Sequence, residues 1–333
     1  MKIKVFNNKK DILILKEDWE ALFDKGNYSV FQSFTYCYNS IFKQSKPFII
    51  CYYEDGKLVE IWPLELKKKK LIFINDTHAD FCDIISETNS LTVVDFLKEN
   101  KLASLLRLKN LEKESIVIRK TESIKAKDVS FSLNYSLLKL GKSDNFPSNF
   151  NHFVYRQKRR LKRILKKYNY NTVLYEIESS NFPIEKIKKL RIQMIELEIR
   201  NHKFLDDDLI SLTENLYKSG SLVVNEVEVE NNTTAISLIF KKDYSYSFWI
   251  DLFNDQQMMN LVSNTAFIKE ITKENSATFN FGRGDYSYKI QNFGPEVIPL
   301  FELNTYSTEG EKYLSLFLKS VNLVLKKLYK KFR

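Results

Sequence analysis

Apolar residues recur at every second position in some stretches of the chain and at every third or fourth in others. Lys2 to Phe6 alternates and predicts a strand, while Asp11 to Phe23 sets Leu15, Trp19, Leu22 and Phe23 on one helical face. Phe31 to Phe42 predicts an aromatic-rich helix opened by Ser33. Phe48 to Tyr53 and Leu58 to Leu66 predict a hairpin across Glu54-Asp55-Gly56-Lys57, whose Asp-Gly pair suits a tight turn. A strand at Leu71 to Asn75 and a polar loop from Asp76 to Asp83 follow. Leu91 to Lys120 predicts one helix and two short strands.

Gly141 to Asn151 is polar and holds Pro147, which places a division between residues 1–145 and 146–333. Beyond it come a basic helix from Arg156 to Lys167, a strand from Tyr170 to Ile177 and a helix from Ile184 to Arg200. Ser221 to Glu230, Thr233 to Lys241 and Ser245 to Phe253 predict an antiparallel meander, turning at Asn231-Asn232 and Lys242-Asp243. Met258 to Lys273 predicts a helix, Thr278 to Phe281 a strand and Tyr313 to Tyr329 a terminal helix. The first half follows a looser version of the same order. Two copies of one α+β unit therefore account for 333 residues, without a residue-level repeat.

Composition narrows the class. At 44% hydrophobic residues the chain is globular, and its net charge of +10 favours an anionic partner: nucleic acid, a membrane surface or a phosphorylated small molecule. Cys37, Cys51 and Cys82 are odd in number and scattered, as in a cytoplasmic protein with reduced thiols. His78, His152 and His202 are too dispersed to hold a metal, and none is expected. The N-terminus lacks an apolar leader region, and no run approaches about 18 apolar residues, so neither a signal peptide nor a spanning helix is expected.

Chemistry concentrates in FNFGRGDYSYKIQNFG, Phe279 to Gly294, which contains three of the eight glycines. Glycines directly after a strand permit positive φ and close backbone approach to a ligand. Arg283, Asp285, Tyr288 and Lys289 between them suit phosphate binding, orientation of an amine, or an ion-paired turn. The basic helix, with 8 Lys/Arg in 12 residues, suits either a solvated face or an anion contact. Lys326 to Arg333 suits either a solubilising end or contact with a membrane surface.

The glycine segment resembles the C-terminal signature of CelD-type GNAT-like acetyltransferases, in which a strand runs into D-F-G-R-G-D-x-x-Y-K and then F-G. Phe281, Gly282, Arg283, Gly284, Asp285, Tyr288, Lys289, Phe293 and Gly294 match, and Asn280 stands where the pattern has Asp. Phe31-Gln32-Ser33-Phe34 followed by Tyr36 resembles the family's F-Q-S-x-x-W element, with Tyr36 in place of Trp. Glu54 to Val59 leading to Pro63-Leu64 is similar to its E-D-G-x-L-V-G-x-x-P-L hairpin, with Glu60 in place of Gly. Asp80-Phe81-Cys82-Asp83 resembles its D-Y-x-D loop.

The resemblance implies an α+β fold of two tandem GNAT-like domains, each a mixed, largely antiparallel sheet flanked by helices, as in the Fem ligases. It implies transfer of an acyl group from acyl-CoA to the amino group of a nucleotide-linked amino sugar, in O-antigen or capsule assembly. The Fem branch, which uses aminoacyl-tRNA, supplies one alternative; a non-catalytic assembly protein on the same scaffold supplies another. On this view residues 1–145 lie on the acceptor side and 146–333 hold acyl-CoA. Asp285 takes the ammonium proton or holds the amine, unless water or the departing thiolate takes the proton without a dedicated base; Tyr288 donates to the departing thiolate, while Tyr36, His78, Asp80, Asp83, Arg283 and Lys289 hold the acceptor. Asn254, Asp255, Gln256 and Gln257 open a helix at which the pyrophosphate rests, with Arg159, Arg160 and Arg163 as further phosphate contacts. The pantetheine arm pairs along Thr234 to Phe240 or the neighbouring strand. DNA is not an expected partner, and a monomer is expected because two halves already supply an interface.

Overall fold

The computed structural model describes residues 2–178, 180–254 and 259–331. The chain forms two compact units, Met1–Ser132 with Pro299–Arg333 and, between them, Leu133–Ile298.

The first unit opens with β1 (Lys2–Phe6), α1 (Lys9–Leu13), α2 (Lys16–Phe23) and α3 (Phe34–Asn39). The single helix expected over Asp11 to Phe23 is two, because the Asn8 side chain accepts from the Asp11 amide and starts a turn early. The break leaves Ile14 outside and brings Ile12, Leu15, Trp19 and Leu22 into the core. The expected Phe31–Phe42 helix begins instead as the 3-10 turn Val30–Gln32, closed by a Ser29/Gln32 capping box, and continues as α3.

β2 (Pro47–Glu54), β3 (Lys57–Lys67), β4 (Lys70–Phe73) and β5 (Ile85–Ser86) then form, with β1, an antiparallel sheet of order β1-β2-β3-β4, β5 pairing β3. Its hairpin turns as expected through Asp55 and Gly56, both at positive φ (49° and 80°), which keeps the strands' right-handed twist. α4 (Thr92–Glu99), β6 (Arg107–Leu111), α5 (Ile116–Lys120) and β7 (Lys127–Leu140) follow. The second short strand expected before Lys120 is helix α5, whose first amides are held by the Asp83 carboxylate. β13 (Glu296–Thr305), which pairs β6, and α11 (Glu309–Lys331) return to this unit.

The second unit contains α6 (Tyr155–Lys167), β8 (Tyr170–Tyr175), α7 (Ile184–Glu196), α8 (Asp207–Lys218), β9 (Leu222–Val229), β10 (Asn232–Lys242), β11 (Ser245–Phe253), α9 (Met259–Glu274), β12 (Ala277–Arg283) and α10 (Ser287–Phe293). Strands β8 to β11 are antiparallel neighbours, β12 runs parallel to β11, and β7 pairs antiparallel with β12. The turn residues Asn231 and Asp243 take positive φ where the meander was expected to turn. Leu161 of α6, Phe267 and Ile268 of α9 and Phe293 of α10 bury against Phe248, Phe279 and Phe281 of the sheet. Phe281 stacks on Phe248 and Phe293 at centroid distances of 5.3 and 4.7 Å. Each such buried ring contributes about 1.5–3 kcal/mol.

Candidate active site

β11 carries the feature that opens a site. It pairs with β12 only at Ser245, Tyr246 and Ser247, then the two parallel strands part. At the same point its register against β10 shifts: Phe248 faces Ile239 but Ile250 faces Leu238, leaving Trp249 as an extra residue. A bulge of this kind bends a strand and reverses its side-chain parity. Without it Asp251, an odd number of residues from Phe248, would point to the opposite face. With it, Asp251 and its register partner Ser237 project toward α9.

Beyond the bulge no strand among the described residues pairs with the edge of β11 that faces away from β10. The Asn254 amide donates to Thr234 of β10, whereas the Phe253 amide meets the Met194 sulfur on α7. By the two-residue period of an antiparallel pair, the Asp251 amide points the same way as that of Phe253, away from β10 and into the splay. β10 itself is paired along both sides by β9 and β11 and has no edge for a ligand. Of the two strands expected to receive a pantetheine arm, the free edge is therefore on the neighbour.

Asp251 stands in a relay of small polar groups set among apolar ones. The Ser237 hydroxyl donates to Asp251 Oδ1 at 2.8 Å and contacts Ser263 Oγ at 2.9 Å; Asn264 Nδ2 reaches Asp251 Oδ2 at 3.5 Å. Asn225 of β9 donates to Ser263 at 2.9 Å and ends the chain of contacts. Burial pushes the Asp251 carboxyl up, against the pull of Ser237 and Asn264 and of the more distant Lys289 and Arg200 charges. Tyr288, half-buried, has its phenol held far above the ordinary value by burial first and then by the Asp251 charge. Exposed Arg200, whose guanidinium lies over Phe204 at 5.1 Å, pulls both groups down. A carboxyl of raised affinity for protons, a protonated phenol and a cation thus share one electrostatic neighbourhood beside a free strand edge.

The glycine segment frames this neighbourhood. Gly282, Gly284 and Gly294 all have positive φ. A Cβ on Gly294 would stand 2.7 Å from Gln157 of α6, which reaches across to α10. Lys289, 4% exposed, donates to the carbonyls of Phe281, Arg283 and Gly284 at 2.6, 3.1 and 3.2 Å. Its ammonium is spent on closing the turn, so the side chain expected to touch the acceptor braces the backbone instead. Asn280 accepts from the Gly282 amide, a role that needs an oxygen but no charge. Asp285 is exposed and accepts from Asn134 at 3.2 Å, and the Gly284 amide donates to the Asn134 carbonyl. Among the described residues no hydrogen bond or ion pair joins Asp285 to Tyr288 or Asp251. Arg283 is half-buried at the end of β12.

Other expected site residues fall as follows. Arg159 and Arg163 are exposed on α6, and Arg160 donates to Gln291 of α10 at 3.2 Å. Asn254 continues the β11 ladder; Asp255, Gln256 and Gln257 lie outside the described residues. Tyr36, His78, Asp80 and Asp83 belong to the first unit. Tyr36 is fully buried and donates to the Asn75 carbonyl at 3.3 Å; the His78 amide donates to that same carbonyl, and Asp80 is buried. Asp83 accepts from the amides of Ile84, Ile116 and Val117 at 2.8, 2.6 and 2.9 Å, which caps α5. Burial lifts its carboxyl to about 6 all the same. That carboxylate is occupied by backbone, not presented to a substrate. A shallow pocket near Lys269 and Glu270 shares no residue with the Asp251 cluster.

No family model matches the sequence. No curated protein matches it either. Solved structures do. A C-terminal DUF2156 domain from Agrobacterium fabrum superposes with a TM-score of 0.62 at 11% identity, covering 94% of this chain and 97% of that one. L-PGS from Bacillus licheniformis gives 0.61 at 11%, covering 88% and 92%. FemX gives 0.61 at 10%, covering 94% and 99%. The chain has the tandem GNAT-like α+β fold. At such identities the likeness is one of fold, and the chemistry has to be argued from the site.

Proposed function

We propose that this chain is a GNAT-type N-acyltransferase that moves an acyl group from acyl-CoA to the amino group of a nucleotide-linked amino sugar. The observation that carries the reading is the splay of β11 from β12 with Asp251 on its free edge. An extended pantetheine amide chain would pair with that edge as an added strand. The acceptor nitrogen attacks the thioester carbonyl, the C–S bond breaks and an amide forms. Asp251 takes the proton from the attacking amine; its raised proton affinity suits a base working near neutral pH. Tyr288 donates a proton to the departing sulfur, and the Asp251 amide supplies a hydrogen bond to the developing oxyanion. Asp285, first expected as the base, sits exposed on Asn134 and in this reading positions the glycine turn. Arg159 and Arg163 are the cations left for phosphate groups. The CelD-type resemblance supports the choice of an amino-sugar acceptor.

The test is free-thiol release from a panel of acyl-CoAs mixed with nucleotide-linked amino sugars. Release that requires both substrates and falls at least tenfold in Asp251→Asn is expected. Absence of both CoA binding and thiol release would overturn the reading. A second reading, aminoacyl transfer from charged tRNA, is favoured by one observation: Arg156, Arg159, Lys162, Arg163 and Lys166 form an exposed cationic face on α6 with no acidic partner among the described residues. It predicts tRNA binding that weakens steeply with salt.

A further inference from the structure

Helix α11 turns an apolar stripe to solvent. Tyr313, Leu314, Phe317, Leu318 and Val321 are 66, 59, 65, 51 and 38% exposed, and their spacing places all five on one helical face. Ser315 and Leu316, on the other side, are half-buried, so the more apolar face is the one turned to solvent. This is the reverse of an ordinary surface helix. From Tyr313 to Val321 the stripe runs roughly 12 Å at 1.5 Å per residue. Charge accompanies it: from Lys312 to Arg333 there are seven Lys/Arg and no Asp or Glu.

Such a helix matches a surface that is apolar below and anionic at its boundary. We propose that α11 docks this chain in the plane of an anionic lipid membrane, with Tyr313, Leu314, Phe317, Leu318 and Val321 entering the headgroup boundary. No helix among the described residues is long and apolar enough to cross a membrane, so the contact is peripheral. A second copy of the chain is a poorer occupant. In parallel it brings two sets of cations together. In antiparallel order it offers only Glu309 and Glu311 against them, and Glu309 already pairs with Lys312 at 3.3 Å. Apolar insertion and attraction to anionic lipid add, and together they hold a helix of this kind on a bilayer.

The experiment is co-sedimentation of the full chain with phosphatidylcholine vesicles, with and without phosphatidylglycerol. Binding to the anionic vesicles alone is expected, weakening as salt is raised. The pair Phe317→Glu/Leu318→Glu, and separately Phe317→Ser/Leu318→Ser, should lower binding about tenfold or more with unchanged thermal unfolding. The pair Arg159→Glu/Arg163→Glu on α6 should bind as before. Failure to bind any vesicle, binding that survives the α11 changes, or binding lost only through α6 would overturn the proposal. So would a solution dimer that dissociates in the Phe317→Glu/Leu318→Glu chain, since that assigns the stripe to a second copy.

Discussion

Glu60 in the first unit and Asp251 in the second are strand carboxylates whose proton affinity is raised by burial, and the two are treated in opposite ways. Glu60 of β3 is fully enclosed and completely served: Lys120 Nζ stands 2.5 Å away, Trp62 Nε1 donates at 2.6 Å and Ser86 Oγ at 2.9 Å. Burial pushes its carboxyl up, against the pull of those three donors. Asp251 is half-buried and has Ser237 and Asn264 for donors, with its nearest cations acting at a distance. A carboxylate locked to an ammonium has no lone pair for a substrate and serves the fold. One left partly open beside a free strand edge retains a proton to exchange. The difference separates a structural acid from a reactive one more sharply than burial alone does.

The largest effect expected from this contrast is on turnover. Asp251→Asn should lower acyl transfer by about 10²–10⁴-fold, read as thiol release. In the unaltered protein the rate should rise with pH as Asp251 ionises, with its midpoint above the ordinary carboxylate value of about 4. The sign for stability is the reverse. A folded-state affinity for protons raised above the unfolded one contributes stability that is lost as pH rises through the folded value. Asn imitates the protonated form, so the variant should unfold no earlier than the parent at neutral pH.

Next comes the structural acid. Lys120→Met strands Glu60 without its ammonium and should cost about 3–5 kcal/mol in denaturant unfolding. Adding Glu60→Gln should recover much of that loss, because no unpaired charge is left. Tyr288→Phe should slow thiol release by about 10²-fold, at the low end of what a positioned general acid supplies. Asp285→Asn should change turnover least, and a loss as large as that of Asp251→Asn would transfer the role of base to the exposed turn.

The sequence made much of this fold legible, and the reasons are local. The β2–β3 hairpin announced itself because Asp55-Gly56 lies between alternating strands, and the β9–β11 meander because its turns carry Asn and Asp. Five elements went unforeseen: β5, β7, α8, α10 and β13. β7 (KDVSFSLNYSLLKL) mixes polar and apolar residues without a clean period, and α8 opens on Asp206, whose side chain caps the Leu209 amide. The glycine segment was visible, yet its role was not. Lys289 reads as an available charge until its three carbonyl partners are seen. Asp251 stands out as the one acid in SYSFWIDLF. Its strand parity, however, points it away from α9 unless the Trp249 bulge is known, and a one-residue register shift has no signature in composition or spacing.

The order in which the units occur along the chain bears on its biosynthesis. The second unit is an insertion: residues 133–298 interrupt the first, whose last strand, β13, is encoded almost two hundred residues after its partner β6. A ribosome delivers β6 long before β13 exists, so the inserted unit can complete its core while the unit that surrounds it still waits. Until β13 emerges, one edge of β6 must be shielded by water, by a chaperone or by brevity. The register of β6 on β13 runs from Arg107 opposite Asn304 to Leu111 opposite Phe301, and a five-residue edge is a short template for a stray strand.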